Sequence, residues 1–275
     1  MHDVIKLMRI AIIGCGAIGS EFAVAADGMA EVKRIYLTDM SGVAAEALAG
    51  KLNKAEAVRS IDQELYHCDL VIEAASQAAA KDIIPKVVGR GVDIMIMSVG
   101  ALADDDYRNN VYETAKNTGA RILVPSGAVC GTDGLSSASV GRIDEVELIT
   151  TKNPEGLGNI PYLVERGIDI AKAAMPIVVY EGTARDAVKH FPKNVNVAAT
   201  ISIMGVGFDR TKVKIIIDPN TKANSHELIV RGEFGEIVSR TSNVPCPGNP
   251  STSHLAALSA ISALKRIIRN DWVGI

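Results

Sequence analysis

The chain has 275 residues, 48% hydrophobic and 22% charged, the profile of a soluble globular protein with material for one large domain or two ordinary ones. A net charge of −3 offers no broad attraction for nucleic acid or anionic lipid, and no apolar run reaches the roughly eighteen residues of a membrane span. With neither a nucleic-acid nor a membrane partner indicated, the expected ligand is a small molecule.

The apolar run 7–13 predicts a first strand, and it leads directly into Gly14-Cys15-Gly16-Ala17-Ile18-Gly19. In this order Gly14 turns the chain sharply off the strand, Gly16 lets backbone approach a pyrophosphate, and Gly19 lets the next helix pack closely on the sheet. The phosphates then lie at the helix N-terminus, where unpaired N–H groups and the helix dipole favour an anion. Asp39 ends the next apolar run, Arg34-Ile35-Tyr36-Leu37-Thr38-Asp39, where a carboxylate can accept from both ribose hydroxyls and repel a 2′-phosphate. Strand, glycines, helix and spaced acid together predict a dinucleotide site for NAD, with NADP possible through Ser41 and nearby Lys33 or Arg34.

The alternation continues with a helix over 43–52, strands over 55–58 and 69–75, a helix over 78–89, a strand over 93–98, a helix over 104–118 and a strand over 121–124. Short, nearly all-apolar strands separated by helices are what a parallel sheet covered on both faces requires, so the first domain is α/β, a Rossmann-type doubly wound sheet. Ligands of such sheets sit beyond the carboxyl ends of the strands. Three segments fall there: Ala75-Ser76-Gln77, Ser98-Val99-Gly100-Ala101 and Ser126-Gly127-Ala128, each small and able to present N–H groups or a hydroxyl to a cofactor.

Beyond residue 126 the texture changes. Segments 146–151, 176–181 and 213–217 read as strands, as do 226–231 and 236–241, the last two forming a hairpin through Gly232-Glu233-Phe234-Gly235. Helices are predicted over 133–140, 183–189 and 195–204. Strands that are neighbours in sequence imply a second, α+β domain with a mixed sheet. A final amphipathic helix over 251–269, capped by Ser and Thr, is expected to pack back on the first domain. The predicted organisation is therefore 1–125, completed by 246–275, for the dinucleotide domain, and 126–245 for a substrate and dimerisation domain, its exposed sheet face favouring a homodimer. Four scattered cysteines form no metal-ligand spacing, so no metal is expected. Free thiols, with a first few residues too short and polar for a signal peptide, predict a cytoplasmic protein.

A dinucleotide enzyme needs one proton-transfer group beside its cofactor, and the second half of the chain is expected to supply it. His2 and His67 lie in a terminus and a surface connection, and His254 lies near a helix cap. His190, before Phe191-Pro192-Lys193-Asn194-Val195-Asn196, and His226, in Asn224-Ser225-His226-Glu227-Leu228 at a strand mouth, remain the candidates. A dicarboxylate or amino-acid substrate also needs cationic or amide donors, and Lys152, Lys193 and Asn194 supply them.

Assembled, these segments resemble the L-aspartate dehydrogenase family. The resemblance runs over nearly the whole chain: the glycine motif with Asp39, Ala74-Ala75-Ser76-Gln77, Met97-Ser98-Val99-Gly100-Ala101-Leu102, Pro125-Ser126-Gly127-Ala128, Thr151-Lys152-Asn153-Pro154, Phe191-Pro192-Lys193-Asn194-Val195-Asn196, Asn224-Ser225-His226-Glu227 and Thr252-Ser253-His254-Leu255. It implies that His226 stands where the family has its active-site histidine, and that Ala128 and Asn194 stand where it contacts the nicotinamide end of the cofactor. Ser126, Lys152, His190 and Lys193 are then the substrate-side candidates, with Ala17, Ile18 and Val99 beside the glycines and loop residues of the cofactor site. The implied reaction is NAD(P)-dependent oxidation of L-aspartate to iminoaspartate, which goes on to quinolinate in NAD synthesis or hydrolyses to oxaloacetate and ammonia. An imidazole of near-neutral pKa would accept the amine proton. A homoserine dehydrogenase-like enzyme and a non-catalytic NAD-sensing module are the alternatives, and a substrate panel separates them.

Overall fold

The computed structural model describes residues 7–157, 160–192, 195–247 and 249–269. The chain divides into two compact units, one taking it up to Pro125 and resuming at Ala260, the other comprising Ser126–Ser259. The return point lies within the last helix, later than the 246 expected.

The first unit contains β1 (Met8–Ile13), α1 (Ala17–Asp27), β2 (Val32–Thr38), α2 (Gly42–Ala49), β3 (Ala55–Ala57), β4 (Leu70–Glu73), α3 (Gln77–Val88), β5 (Asp93–Ile96), α4 (Asp105–Thr118) and β6 (Ile122–Leu123). Its six strands are parallel in the order β3-β2-β1-β4-β5-β6, the doubly wound sheet expected. The order reverses between β1 and β4, so the chain leaves these neighbouring strands in opposite directions and opens a crevice at their carboxyl ends. Ile10, Ile12, Ile35, Leu37, Leu70 and Ile72 are fully or nearly fully buried, consistent with a sheet covered on both faces. Ala260 and Leu264 of the last helix belong to the same core, with Ile261, Ile267 and Ile268 packed against it.

The second unit contains α5 (Thr132–Ala138), β7 (Ile143–Lys152), α6 (Pro154–Leu157), α7 (Pro161–Glu165), β8 (Ile177–Thr183), α8 (Ala184–His190), α9 (Asn196–Met204), β9 (Thr211–Ile217), β10 (Asn224–Gly232), β11 (Gly235–Asn243), β12 (Pro245–Cys246) and β13 (Asn249–Ser253), followed by the start of α10 (His254–Arg269). Its mixed five-stranded sheet has the order β11-β10-β7-β9-β8, with only β7 and β9 parallel. Here burial alternates. Val146, Leu148, Thr150 and Lys152 on β7 and Asn224, His226, Leu228 and Val230 on β10 are buried on one face, while the residues between them are half-buried or exposed.

The last helix corrects a boundary. Residues 251–253 were expected to open it, but they belong to β13 (Asn249–Ser253), paired with β12, and the helix begins at His254. Proline at 250 and Asn249, whose Oδ1 accepts from the Ser251 N–H and hydroxyl, hold this segment extended.

Candidate cofactor and substrate sites

The fingerprint glycines have different geometric roles. Gly14 has φ +94°, and a Cβ there would stand 2.6 Å from the Ala74 carbonyl oxygen; at Gly19 it would stand 1.9 Å from the Gly14 carbonyl oxygen. Both are therefore required by the fold itself. Gly16, just before α1, has φ −76° and nothing within 4 Å of an added Cβ, so its open space fits the close approach of a phosphate. The expected outcome is that Gly19→Ala destabilises the protein by about 2 kcal/mol or more, while Gly16→Ala stays within about 0.5 kcal/mol by thermal denaturation yet weakens NAD binding.

Asp39 follows β2 and ties two loops together. Its Oδ2 accepts from the Cys15 N–H at 2.7 Å and its Oδ1 from the Ser41 N–H at 2.8 Å. The carboxylate is thus oriented before any ribose reaches it, and each oxygen keeps a second lone pair for a hydroxyl. Arg34 ion-pairs with Glu56 and lies four positions before the last residue of β2, about 13 Å along the strand. Arg34 and Lys33 are therefore at the wrong end of the strand to receive a 2′-phosphate beside Asp39; Ser41 is at the right one.

The neighbouring loops differ from expectation in what they present. Glu73, the last residue of β4, is fully buried. Its Oε1 accepts from the Ala75 N–H (2.9 Å), the Ser76 N–H (3.1 Å) and the Ser98 hydroxyl (2.9 Å), and its Oε2 accepts from the Ser98 N–H (3.0 Å). The amide hydrogens of Ala75, Ser76 and Ser98, read as donors to a cofactor, point at this carboxylate instead. Ser76 Oγ accepts from the Ala79 N–H and caps α3. Val99 and Gly100 are buried in the short 3-10 turn that follows Ser98. Glu73 was not singled out in the sequence, although an acid closing the apolar run Leu70-Val71-Ile72 in a two-sided sheet demands buried partners.

In the second unit, β10 lies between β7 and β11, and His226 is directly opposite Thr150. His226 is 3% exposed, with Nδ1 3.0 Å from Thr150 Oγ1. Lys152, two residues further along the same face of β7, is 4% exposed and donates to the Ser251 carbonyl at 3.0 Å. Asn224 Nδ2 donates to the Pro250 carbonyl, so β13 closes this end of the face through its backbone. Burial holds the Lys152 ammonium at a pKa of about 8, against an ordinary 10.5. Burial, then the nearby Lys152 charge, push the His226 imidazole down to about 3. His226 is thus the third residue of β10, its ring on the buried face of the sheet, and with its pKa pushed below the near-neutral value expected it is neutral at pH 7.

The other candidates are dispersed. Ala128 is buried, its carbonyl accepting from Thr241 Oγ1 and Asn243 Nδ2, both at 2.9 Å, which anchors the 126–131 loop to β11. Ser126 opens that loop, and the Gly127 N–H donates to Ser259 Oγ. His190 ends α8 and is exposed, its ring 4.4 Å from that of Tyr162 in a cluster with Phe191. This aromatic packing, with α8 against β8 and β9, replaces the polar setting expected for a substrate ligand. Lys193 and Asn194 lie outside the described residues. Among the described residues no group of three or more His, Cys, Asp or Glu could hold a metal ion, and no helix is long and apolar enough to cross a membrane.

Comparison with known proteins decides the family. Residues 133–267 match the family model for the aspartate dehydrogenase C-terminal domain, and residues 14–125 match that for the homoserine dehydrogenase NAD-binding domain. An L-aspartate dehydrogenase of Methanosarcina acetivorans is 47% identical over 98% of this chain and 100% of its own length. The chain belongs to the L-aspartate dehydrogenase family. The crystal structure of aspartate dehydrogenase from Thermotoga maritima superposes with a TM-score of 0.70 at 26% identity, covering 96% of each chain. A hyperthermophilic archaeal homoserine dehydrogenase, at a TM-score of 0.58 and 13% identity over 96% of this chain and 98% of its own, shares the fold alone. The chain is thus an NAD(P)-dependent oxidoreductase of this family, with a Rossmann-type domain and a second domain whose likeness is to aspartate dehydrogenase.

Proposed function

We propose that the chain oxidises L-aspartate to iminoaspartate with NAD⁺, the imine hydrolysing to oxaloacetate and ammonia or entering NAD biosynthesis. The buried Lys152 ammonium beside a neutral His226 carries the assignment of substrate class, because together they suit an amino acid with an extra carboxylate.

In this reading Gly14, Gly16, Ala17, Ile18 and Gly19 form the turn and helix start that hold the pyrophosphate, and Asp39 takes the ribose hydroxyls. Ala75, Ser76, Ser98, Val99 and Gly100 shape the neighbouring edge. When bound, the nicotinamide supplies the hydride acceptor. Lys152 binds a substrate carboxylate, desolvated on the inner face of the sheet where a charge-assisted hydrogen bond is strong. His226 takes the proton of the substrate amine at Nε2, its Nδ1 being engaged with the Thr150 hydroxyl, so that the amine lone pair is free as the α-hydrogen leaves. Substrate charge corrects the unfavourable pKa: a carboxylate placed against Lys152 offsets its repulsion and raises the imidazole's proton affinity.

The protein is further proposed to be a homodimer that pairs through the outer face of the five-stranded sheet, where Val178 and Val238 are 53% and 58% exposed. A reducing, cytoplasmic compartment suits its four free cysteines.

The test is reduction of NAD⁺ or NADP⁺ followed with L-aspartate, homoserine or no substrate. Turnover with L-aspartate alone is expected, with NAD⁺ preferred and Asp39→Ala raising the KM for NAD⁺ about tenfold, the size of a charged hydrogen bond. NAD binding without turnover of any substrate favours the sensing module instead.

A further inference from the structure

We propose that Glu73 is a positioning residue for the cofactor: its buried carboxylate sets the shape of both loops at the carboxyl ends of β4 and β5. The inference rests on the reading of these loops as part of the dinucleotide site.

A carboxylate inside a parallel sheet is unfavourable by several kcal/mol unless its surroundings satisfy it. Here four donors do so: three backbone amides and one hydroxyl, drawn from Ala75, Ser76 and Ser98. The donors come from two loops that are adjacent in space but separated by a whole helix in sequence. One side chain therefore fixes the 74–76 turn against the turn at 98–100. A second contact reinforces this: a Cβ at Gly100 would stand 2.1 Å from Gln77 Nε2, so the first residue of α3 packs directly on the second turn.

The arrangement also decides what the loops offer. With their amide hydrogens turned inward, the loops cannot use those groups to hold an anion. Their shape and outward-facing atoms are what a bound dinucleotide meets.

Glutamine is nearly isosteric but presents an amide NH₂ to one side of this ring of donors. Glu73→Gln keeps the size of the side chain and places donor against donor at Ser98 or at the Ala75–Ser76 pair.

The experiment measures the NAD⁺ dissociation constant by titration calorimetry, steady-state kinetics and amide NMR shifts on the parent, Glu73→Gln and Ser98→Ala. Glu73→Gln is expected to weaken NAD⁺ about tenfold, shift the amide signals of Ala75, Ser76 and Ser98, and leave the KM for aspartate within about twofold. General damage to the fold would not separate the two substrates in this way. Ser98→Ala removes only the hydroxyl donor and is expected to weaken NAD⁺ about threefold, which provides the test if Glu73→Gln does not fold. A folded Glu73→Gln with NAD⁺ affinity within twofold of the parent overturns the proposal, as does an unchanged Ser98→Ala when Glu73→Gln does not fold. If the parent itself does not bind NAD⁺, the cofactor reading fails first and takes this proposal with it; binding by the parent with an indifferent Glu73→Gln removes the proposal alone.

Discussion

His226→Ala is expected to lower kcat by at least about a hundredfold and to leave the dissociation constant for NAD⁺ unchanged, to be checked by steady-state kinetics and cofactor titration. The expected size is that of a positioned proton-transfer group, and the selectivity follows from location. His226 is on the inner face of the mixed sheet, whereas the residues assigned to the cofactor's phosphates and ribose are in the Rossmann unit. A pKa near 3 means that the free imidazole is ready to accept a proton but holds one poorly. Catalysis therefore depends on the substrate raising that affinity. Thr150→Val is a companion variant: it retains the shape but removes the hydroxyl on Nδ1, loosening control of the tautomer and ring orientation, and kcat should fall by a smaller factor. An unchanged kcat in His226→Ala assigns the proton to another group.

Lys152→Met is expected to lower kcat/KM for L-aspartate by about a hundredfold or more, chiefly through KM, because a buried charged contact to a carboxylate is worth about 2–5 kcal/mol and each 1.4 kcal/mol is tenfold. The pH dependence separates charge from packing. Succinate has both carboxylates and no amine, so its inhibition constant reports on the carboxylate site without the titration of the substrate amine. In the parent that constant is expected to be flat from about pH 6.5 to just below 8, where succinate is the dianion, and to rise up to tenfold per unit above it, as the ammonium with its pKa of about 8 is lost. In Lys152→Met it is weak and flat throughout.

Stability has the opposite sign. The folded-state pKa of Lys152 lies below its unfolded value of 10.5, so burial of the ammonium opposes folding most fully below about pH 8 and less as pH rises toward 10.5. The ligand-free Lys152→Met protein is accordingly expected to melt no lower than the parent, despite losing the bond to the Ser251 carbonyl. A large loss of stability with an unchanged inhibition constant would make Lys152 a structural residue.

The glycine turn, Asp39 and the alternation of strands and helices were legible in the sequence because each depends on neighbours in one local unit: a strand, a turn and the helix that follows. His226 and Lys152 could be picked out for residue type and motif context, but their protonation could not be read. It depends on burial that exists only when β10 lies between β7 and β11 and β13 closes the end of the face. The 249–253 segment shows the same limit, since its Ser and Thr residues suit a helix cap locally while its pairing with β12 makes a strand.

Sequence by itself determined the two-domain plan, the dinucleotide turn and the residue types available for acid–base work. Tertiary structure alone decided that the Ala75, Ser76 and Ser98 amides serve Glu73, that Arg34 is committed to Glu56, and that His226 is neutral beside a buried cation. The physical reason is that backbone conformation is governed largely by short-range sterics and side-chain periodicity, whereas desolvation and charge coupling depend on groups brought together from distant parts of the chain.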